Sequence, residues 1–338
     1  MSVIESASSR WNTYIVTVII CVALLIAGIL LSVSIGVIDV SWKEVTRALL
    51  GKAQTKNELV ISTIRVPRTL MAALVGAGLA VAGAMMQAVT RNPFASPQIL
   101  GINSGAALIV VLSIVLYPSM SPTSLVLAAF AGASMGGALV FALGYTNDER
   151  APVNLALAGI AVSMFLTAMT EGFIVLYDNQ TQSILFWLAG AVHGGTWSDV
   201  YTLMPWMGIG FFISILLSRN LTILSLGDDI AKGIGLKVHR IRLFVACAVI
   251  VLAGSAVSVA GPIGFVGLIV PHIVRYIIGV DYRFVIPLSA LFGAILLIYA
   301  DLISRFIAFP FESPVGIVTA AIGAPFFLYL ILKRRRAS

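Results

Sequence analysis

The chain has 338 residues, of which 59% are hydrophobic and only 10% charged, and it carries a net charge of +7. A soluble domain carries about 25% charged residues, so a soluble globular protein is excluded, and a mean hydropathy of +1.04 agrees. The basic excess is spread over the ends of apolar runs, apart from a cluster at 333–336, which excludes a nucleic-acid surface and fits the cytoplasmic edges of a membrane protein.

Charge-free runs of roughly 20 residues predict membrane-spanning helices. The first covers 11–38. It is longer than the roughly 7–15-residue core of a signal peptide, and Glu5 precedes it, so it reads as a span rather than a cleaved leader. The second covers 69–90. The stretch 92–147 is too long for one helix and breaks at "YPSMSP" (117–122), giving the third and fourth. The fifth starts at 151 and passes 170, and the sixth covers 200–218. The stretch 243–274 breaks at "GPIG" (261–264) into the seventh and eighth, and 284–300 and 315–332 supply the ninth and tenth. Proline and glycine set these breaks. The prediction is an all-α integral membrane protein of about ten transmembrane helices, one domain over 1–338. Cys21 and Cys247 fall inside apolar runs and point to neither a disulfide nor a metal site.

Ten spans place both termini on one side. With that side cytoplasmic, 14 of the 21 Lys and Arg lie inside, as membrane insertion favours. The exceptions gather in the first outer loop, which ends in Arg65 and Arg68, and at Arg305 in the last one. Small residues recur at helical spacing: Gly76, Ala80 and Ala84 share one face, and Gly132 and Gly136 repeat the interval. Such faces let helices pack closely in lipid.

The chain offers little to power transport by itself. Glu171 is the only carboxylate well within a predicted span, near its outer end, where it can snorkel to the interface. No GxxxxGK[ST] phosphate loop occurs, so ATP hydrolysis falls to a partner. His193, His239 and His272 are scattered over three loops and form no recognisable set, so no catalytic or metal-binding residues are assigned and no cofactor is expected in this chain. The longest and most charged inner loop, 218–242, is a candidate handle for a soluble partner. There Asp228 and Asp229 follow Gly227 and open a short helix, where carboxylates suit the positive end. Ile230 and Ile234 share a face, and Gly233 and Gly235 end the helix. An ordinary solvated loop is the other reading. A stand-alone secondary carrier and a membrane scaffold are the other function classes.

Several blocks resemble the membrane subunits of bacterial ABC importers for ferric siderophores, haem and vitamin B12, the FecCD type. They are "RVPRTLMAALVGAGLAVAGAMMQAVTRNPFASPQILGINSGAAL" (65–108), "FWLAGAVHGGTW" (186–197), "LGDDIAKGIGLKVHRIR" (226–242), "GPIGFVGLIVPHIVRYIIGVDYR" (261–283) and "ESPVGIVTAAIGAPFFLYLI" (312–331). The resemblance covers essentially 13–333. It implies a type II ABC importer permease fold in the bacterial cytoplasmic membrane, paired with a second permease subunit, the same or paralogous. Two cytoplasmic ABC ATPases and an extracytoplasmic substrate-binding protein complete the machine, with no nucleic acid. It implies that Arg65, Arg68 and Arg305 sit partly exposed on the outer rim and meet carboxylates of the binding protein. It implies that the segment 226–242 couples to the ATPase through Gly227, Asp228, Asp229, Ala231, Gly235 and Leu236. It further implies an outer gate in 180–197 hinged at Gly190, Gly194 and Gly195, and an inner gate bordered by 146–154. The motif "RNPFASP" (91–97) reads as a structural turn, with ATPase contact as the alternative. The expected activity is import of a ferric siderophore, or of cobalamin or haem by the same machine.

Overall fold

The computed structural model describes residues 2–36, 40–52, 54–144, 151–177, 187–309 and 311–335. Part of each expected gate, and the tail beyond 335, lies outside the described residues. Regular structure within them is helical, apart from a bridge between Ala308 and Phe311.

The helices run in the order α1 (Ser2–Ser34), α2 (Trp42–Leu49), α3 (Lys56–Val60), α4 (Val66–Thr90), α5 (Ile102–Leu116), α6 (Pro122–Gly144) and α7 (Ala151–Leu176). Then come α8 (Trp197–Ser225), α9 (Asp228–Gly233), α10 (Val238–Ala260), α11 (Val266–Ile278), α12 (Tyr282–Ile307) and α13 (Val315–Arg335). Among the described residues, seven helices are long and apolar enough to cross a membrane: α1, α4, α6, α7, α8, α10 and α12. α5, α11 and α13 are shorter apolar helices. These ten correspond to the ten predicted spans, and the breaks at 117–122 and 261–264 fall where proline and glycine placed them.

Several boundaries differ from expectation, and at two of them charged residues are taken into the helix. The second span begins not at 69 but in α3, and runs through one widened π turn (Ile61–Arg65) straight into α4. The ninth runs past 300 to Ile307, so Asp301 and Arg305 are helical and buried. Asp301 therefore joins Glu171 as a carboxylate within a span. In both places a charge-free window cut the helix short, although Arg68, Asp301 and Arg305 pair with one another and Arg65 is held by backbone carbonyls.

The outer loop also folds. α2 and α3 each start with a capping box, Ser41 with Glu44 and Thr55 with Glu58, which satisfies amides the helix cannot pair itself. α2 buries Val45 and Ala48 on Val33 of α1 and Ile61 of the π turn. Covering one Val side chain in this way contributes about 1.5–3 kcal/mol.

α4 is the central element, buried along most of its length and packed on α8, α10, α11 and α12. Its seams carry almost no side chain. A Cβ on Gly76 would overlap the carbonyl of Gly293 in α12, and one on Gly83 the carbonyl of Gly267 in α11. The same device joins α5 to α6, where Gly105 faces Gly132 and Gly101 faces Gly136. Without a hydrophobic drive in lipid, close backbone approach supplies the packing. α1 lies outside this block, with much of its surface exposed.

Candidate functional site

The two ends of the bundle are named below by the charge-derived orientation. At the inner end, Gly227 precedes α9 at φ +132°, and Gly235 follows it at φ +83°, two conformations that side chains disfavour. The Leu236 amide donates to the Ala231 carbonyl at 2.9 Å and closes the turn. Asp228 and Ala231 face inward, whereas Asp229, Leu226, Ile230 and Ile234 are exposed. Asp228 accepts from Arg242 of α10 at 2.8 and 3.1 Å, both side chains being buried. Arg91, which ends α4 in the left-handed region, places its guanidinium 3.8 Å from the same carboxylate. The "RNPFASP" turn thus reaches the 226–242 segment through Arg91, a link that local spacing does not reveal. The structure therefore builds a short, firmly held helix with three aliphatic side chains facing out.

Beside it, Arg275 of α11 donates to the Gln87 side-chain oxygen near the end of α4, and the Gln87 amide donates to the Gly267 carbonyl at 3.1 Å. Neither residue stood out in the sequence.

At the outer end, the three arginines turn inward instead of lining an exposed rim. Each is less than 10% exposed. Arg65 donates to the Val33 and Ser34 carbonyls at 3.0 and 2.9 Å. Arg305 donates to the Ser32 and Ile35 carbonyls at 2.8 and 3.1 Å. These carbonyls end α1, where a helix leaves its last acceptors unpaired and its dipole favours cations. Asp301 accepts from Arg68 at 2.8 Å and from Arg305, one turn along its own helix, at 2.6 Å. The remaining nitrogen of the Arg68 fork donates to both oxygens of Glu312 at 2.8 and 2.9 Å. The Asp301 side chain is 2% exposed and that of Glu312 37%. Asp301 and Glu312 were not expected, because their partner Arg68 lies more than 230 residues earlier in the chain.

His193 belongs to the same neighbourhood. Its ring is exposed at the surface but partly desolvated, which draws its pKa below the ordinary histidine value, and Arg68 adds to that, with Glu312 and Asp301 pulling the other way.

The outer segment after 186 is seated firmly. The Gly190 amide donates to Trp187, its carbonyl accepts from Gly316 at the start of α13 at 3.0 Å, and the Ala191 amide donates to Ala260 at 2.8 Å. Gly190 (φ +75°) has no room for a Cβ against the Pro262 carbonyl, whereas a Cβ on Gly195 would meet the flexible tip of Met71. Gly194 (φ +76°) faces open space. Of the three expected hinge positions, one is thus a tight packing point against backbone.

The description of the FecCD transport family matches residues 24–333. The chain is 50% identical, over 98% of its own length and 98% of the relative's, to the Fe(3+)-citrate import system permease protein YfmD of Bacillus subtilis (strain 168). It is 44% identical to the iron(3+)-hydroxamate import system permease protein FhuB of the same organism, over 97% of this chain and 86% of that one. Among solved structures, an inward-facing conformation of a metal-chelate type ABC transporter superposes with a TM-score of 0.82 at 30% identity, covering 93% of this chain and 97% of the other.

Proposed function

This chain is a member of the FecCD transport family, a membrane permease and not an enzyme, and from that premise we propose that it forms half of the pore of an ATP-driven importer for a ferric chelate. A second permease subunit, the same or a paralogue, completes the pore in the cytoplasmic membrane, with both termini cytoplasmic. Two cytoplasmic ATPases bind the ATP. A binding protein outside delivers the cargo.

The observation that carries this reading is α9. Leu226, Ile230 and Ile234 expose aliphatic surface at the inner end, while Asp228, Arg242 and Arg91 fix the helix that bears them. An exposed apolar patch on a rigid support marks a contact site. Closure of the ATPases on ATP then moves α9, and through it α10 and the end of α4. The ATPases must favour one pore state over the other, since a ligand indifferent to state shifts nothing.

The cargo assignment rests on the relatives, which are named for Fe(3+)-citrate and Fe(3+)-hydroxamate. The docking role of Arg65, Arg68 and Arg305 is retained as part of the proposal, with Glu312 as the exposed approach to Arg68. Uptake of labelled Fe(3+)-citrate, Fe(3+)-hydroxamates, haem and cobalamin, with and without this chain under iron limitation, tests the whole. Loss of ferric chelate uptake supports it. Loss of cobalamin or haem uptake instead keeps the machine and changes the cargo. No loss, with no ATPase co-purifying, rejects it.

A further inference from the structure

Arg68 is held by two carboxylates of different character. Asp301 is nearly inaccessible, lies on the rigid helix α12 and is also bound by Arg305. Glu312 lies in the turn between α12 and α13, is over a third exposed, and pairs with Arg68. Glu312 accepts with both oxygens from the one Arg68 nitrogen that Asp301 leaves over, so a carboxylate arriving from outside would have to take that same nitrogen. Removing Glu312 leaves Arg68 hydrogen-bonded to Asp301, which it shares with Arg305, so the cluster keeps a counter-ion but gains one net positive charge. The Glu312 contact is thus the exchangeable one, because its carboxylate reaches solvent whereas that of Asp301 does not, although Arg68 itself is buried and the pair is held more firmly than an exposed one.

We propose that Glu312 is a built-in competitor for the carboxylate with which the extracytoplasmic binding protein engages Arg68. It occupies the guanidinium in the undocked permease and is displaced on docking, which weakens standing association and leaves release easy after delivery. The inference rests on the docking role assigned to Arg68 above.

The test uses the full chain assembled with its partners in lipid nanodiscs. The probe is the binding protein whose deletion abolishes the same labelled Fe(3+) uptake. It is titrated onto the native complex, Glu312→Gln and Glu312→Ala, each with an unfolding temperature measured alongside. The titration is repeated with the acidic residues on the binding protein's docking lobes neutralised one at a time. The expected result is several-fold tighter docking for both Glu312 variants, with the gain disappearing for one neutralised binding protein. If neutralisation weakens docking but neither Glu312 variant tightens it, the competitor is overturned and the docking reading stands. If no neutralisation affects docking, the docking reading fails and the competitor fails with it.

Discussion

Arg242, near the start of α10, donates to both oxygens of Asp228, the first residue of α9, with both side chains less than 10% exposed. α9 is therefore pinned to the bundle by a buried charge rather than by its own six residues, too few to be stable alone. Asp228→Asn leaves Arg242 buried without a counter-ion. Removing one partner of a buried pair costs about 3–5 kcal/mol. A clear fall in unfolding temperature is expected, while Asp229→Asn, at an exposed position, stays within about 0.5 kcal/mol of native.

Ile230 and Ile234 are both more than half exposed. Ile230→Glu with Ile234→Glu leaves the fold and its unfolding temperature intact, because nothing packs away behind them. Co-purification of an ATPase subunit is expected to be lost. An ATPase that still co-purifies in native ratio argues against α9 as the contact.

The seam glycines separate packing from propensity. Gly83→Ala forces a methyl into the Gly267 carbonyl, and overpacking of a tight core costs typically about 1–3 kcal/mol or more. Gly208→Ala in α8 meets nothing within 4 Å and gains about 0.5–1 kcal/mol of helix preference. Unfolding temperatures moving in opposite directions for the two variants are the expected readout.

His193 predicts an acid sensitivity. Its folded-state pKa is depressed, by partial desolvation first and by Arg68, with Glu312 and Asp301 opposing. A histidine depressed on folding supports the fold fully above its ordinary value near 6.5, and that support is lost as pH falls below it. The unfolding temperature of the native protein should therefore drop more steeply between pH 7.5 and 5.5 than that of His193→Gln. Parallel curves would contradict the assignment.

The number of spans was legible because lipid demands uninterrupted apolar helices, and because "YPSMSP" and "GPIG" interrupt them. The short helix opened by Asp228 was legible from Gly227 and the paired acids. The inward turn of Arg65, Arg68 and Arg305 was not. Positive-inside counting places a residue on a side of the membrane and says nothing of depth, and the acceptors come from α1, α12 and the turn before α13. α2 and α3 were within reach: "SWKE" (41–44) and "TKNE" (55–58) are capping boxes in plain sight. A search for apolar runs passes over such short polar helices.

The backbone seams of α4 have a genetic consequence. Glycine is the smallest residue, so every amino-acid replacement at Gly76, Gly83, Gly267 or Gly293 adds atoms where another helix already stands. There is no smaller neighbour to drift to, and a methyl added on one helix meets a backbone carbonyl first, which cannot shrink in compensation. Elsewhere in the core a Leu can become a Met while a neighbour adjusts. At these four positions selection acts in one direction only, and second-site suppressors should arise as shifts of whole helices, not as single side-chain exchanges across the seam.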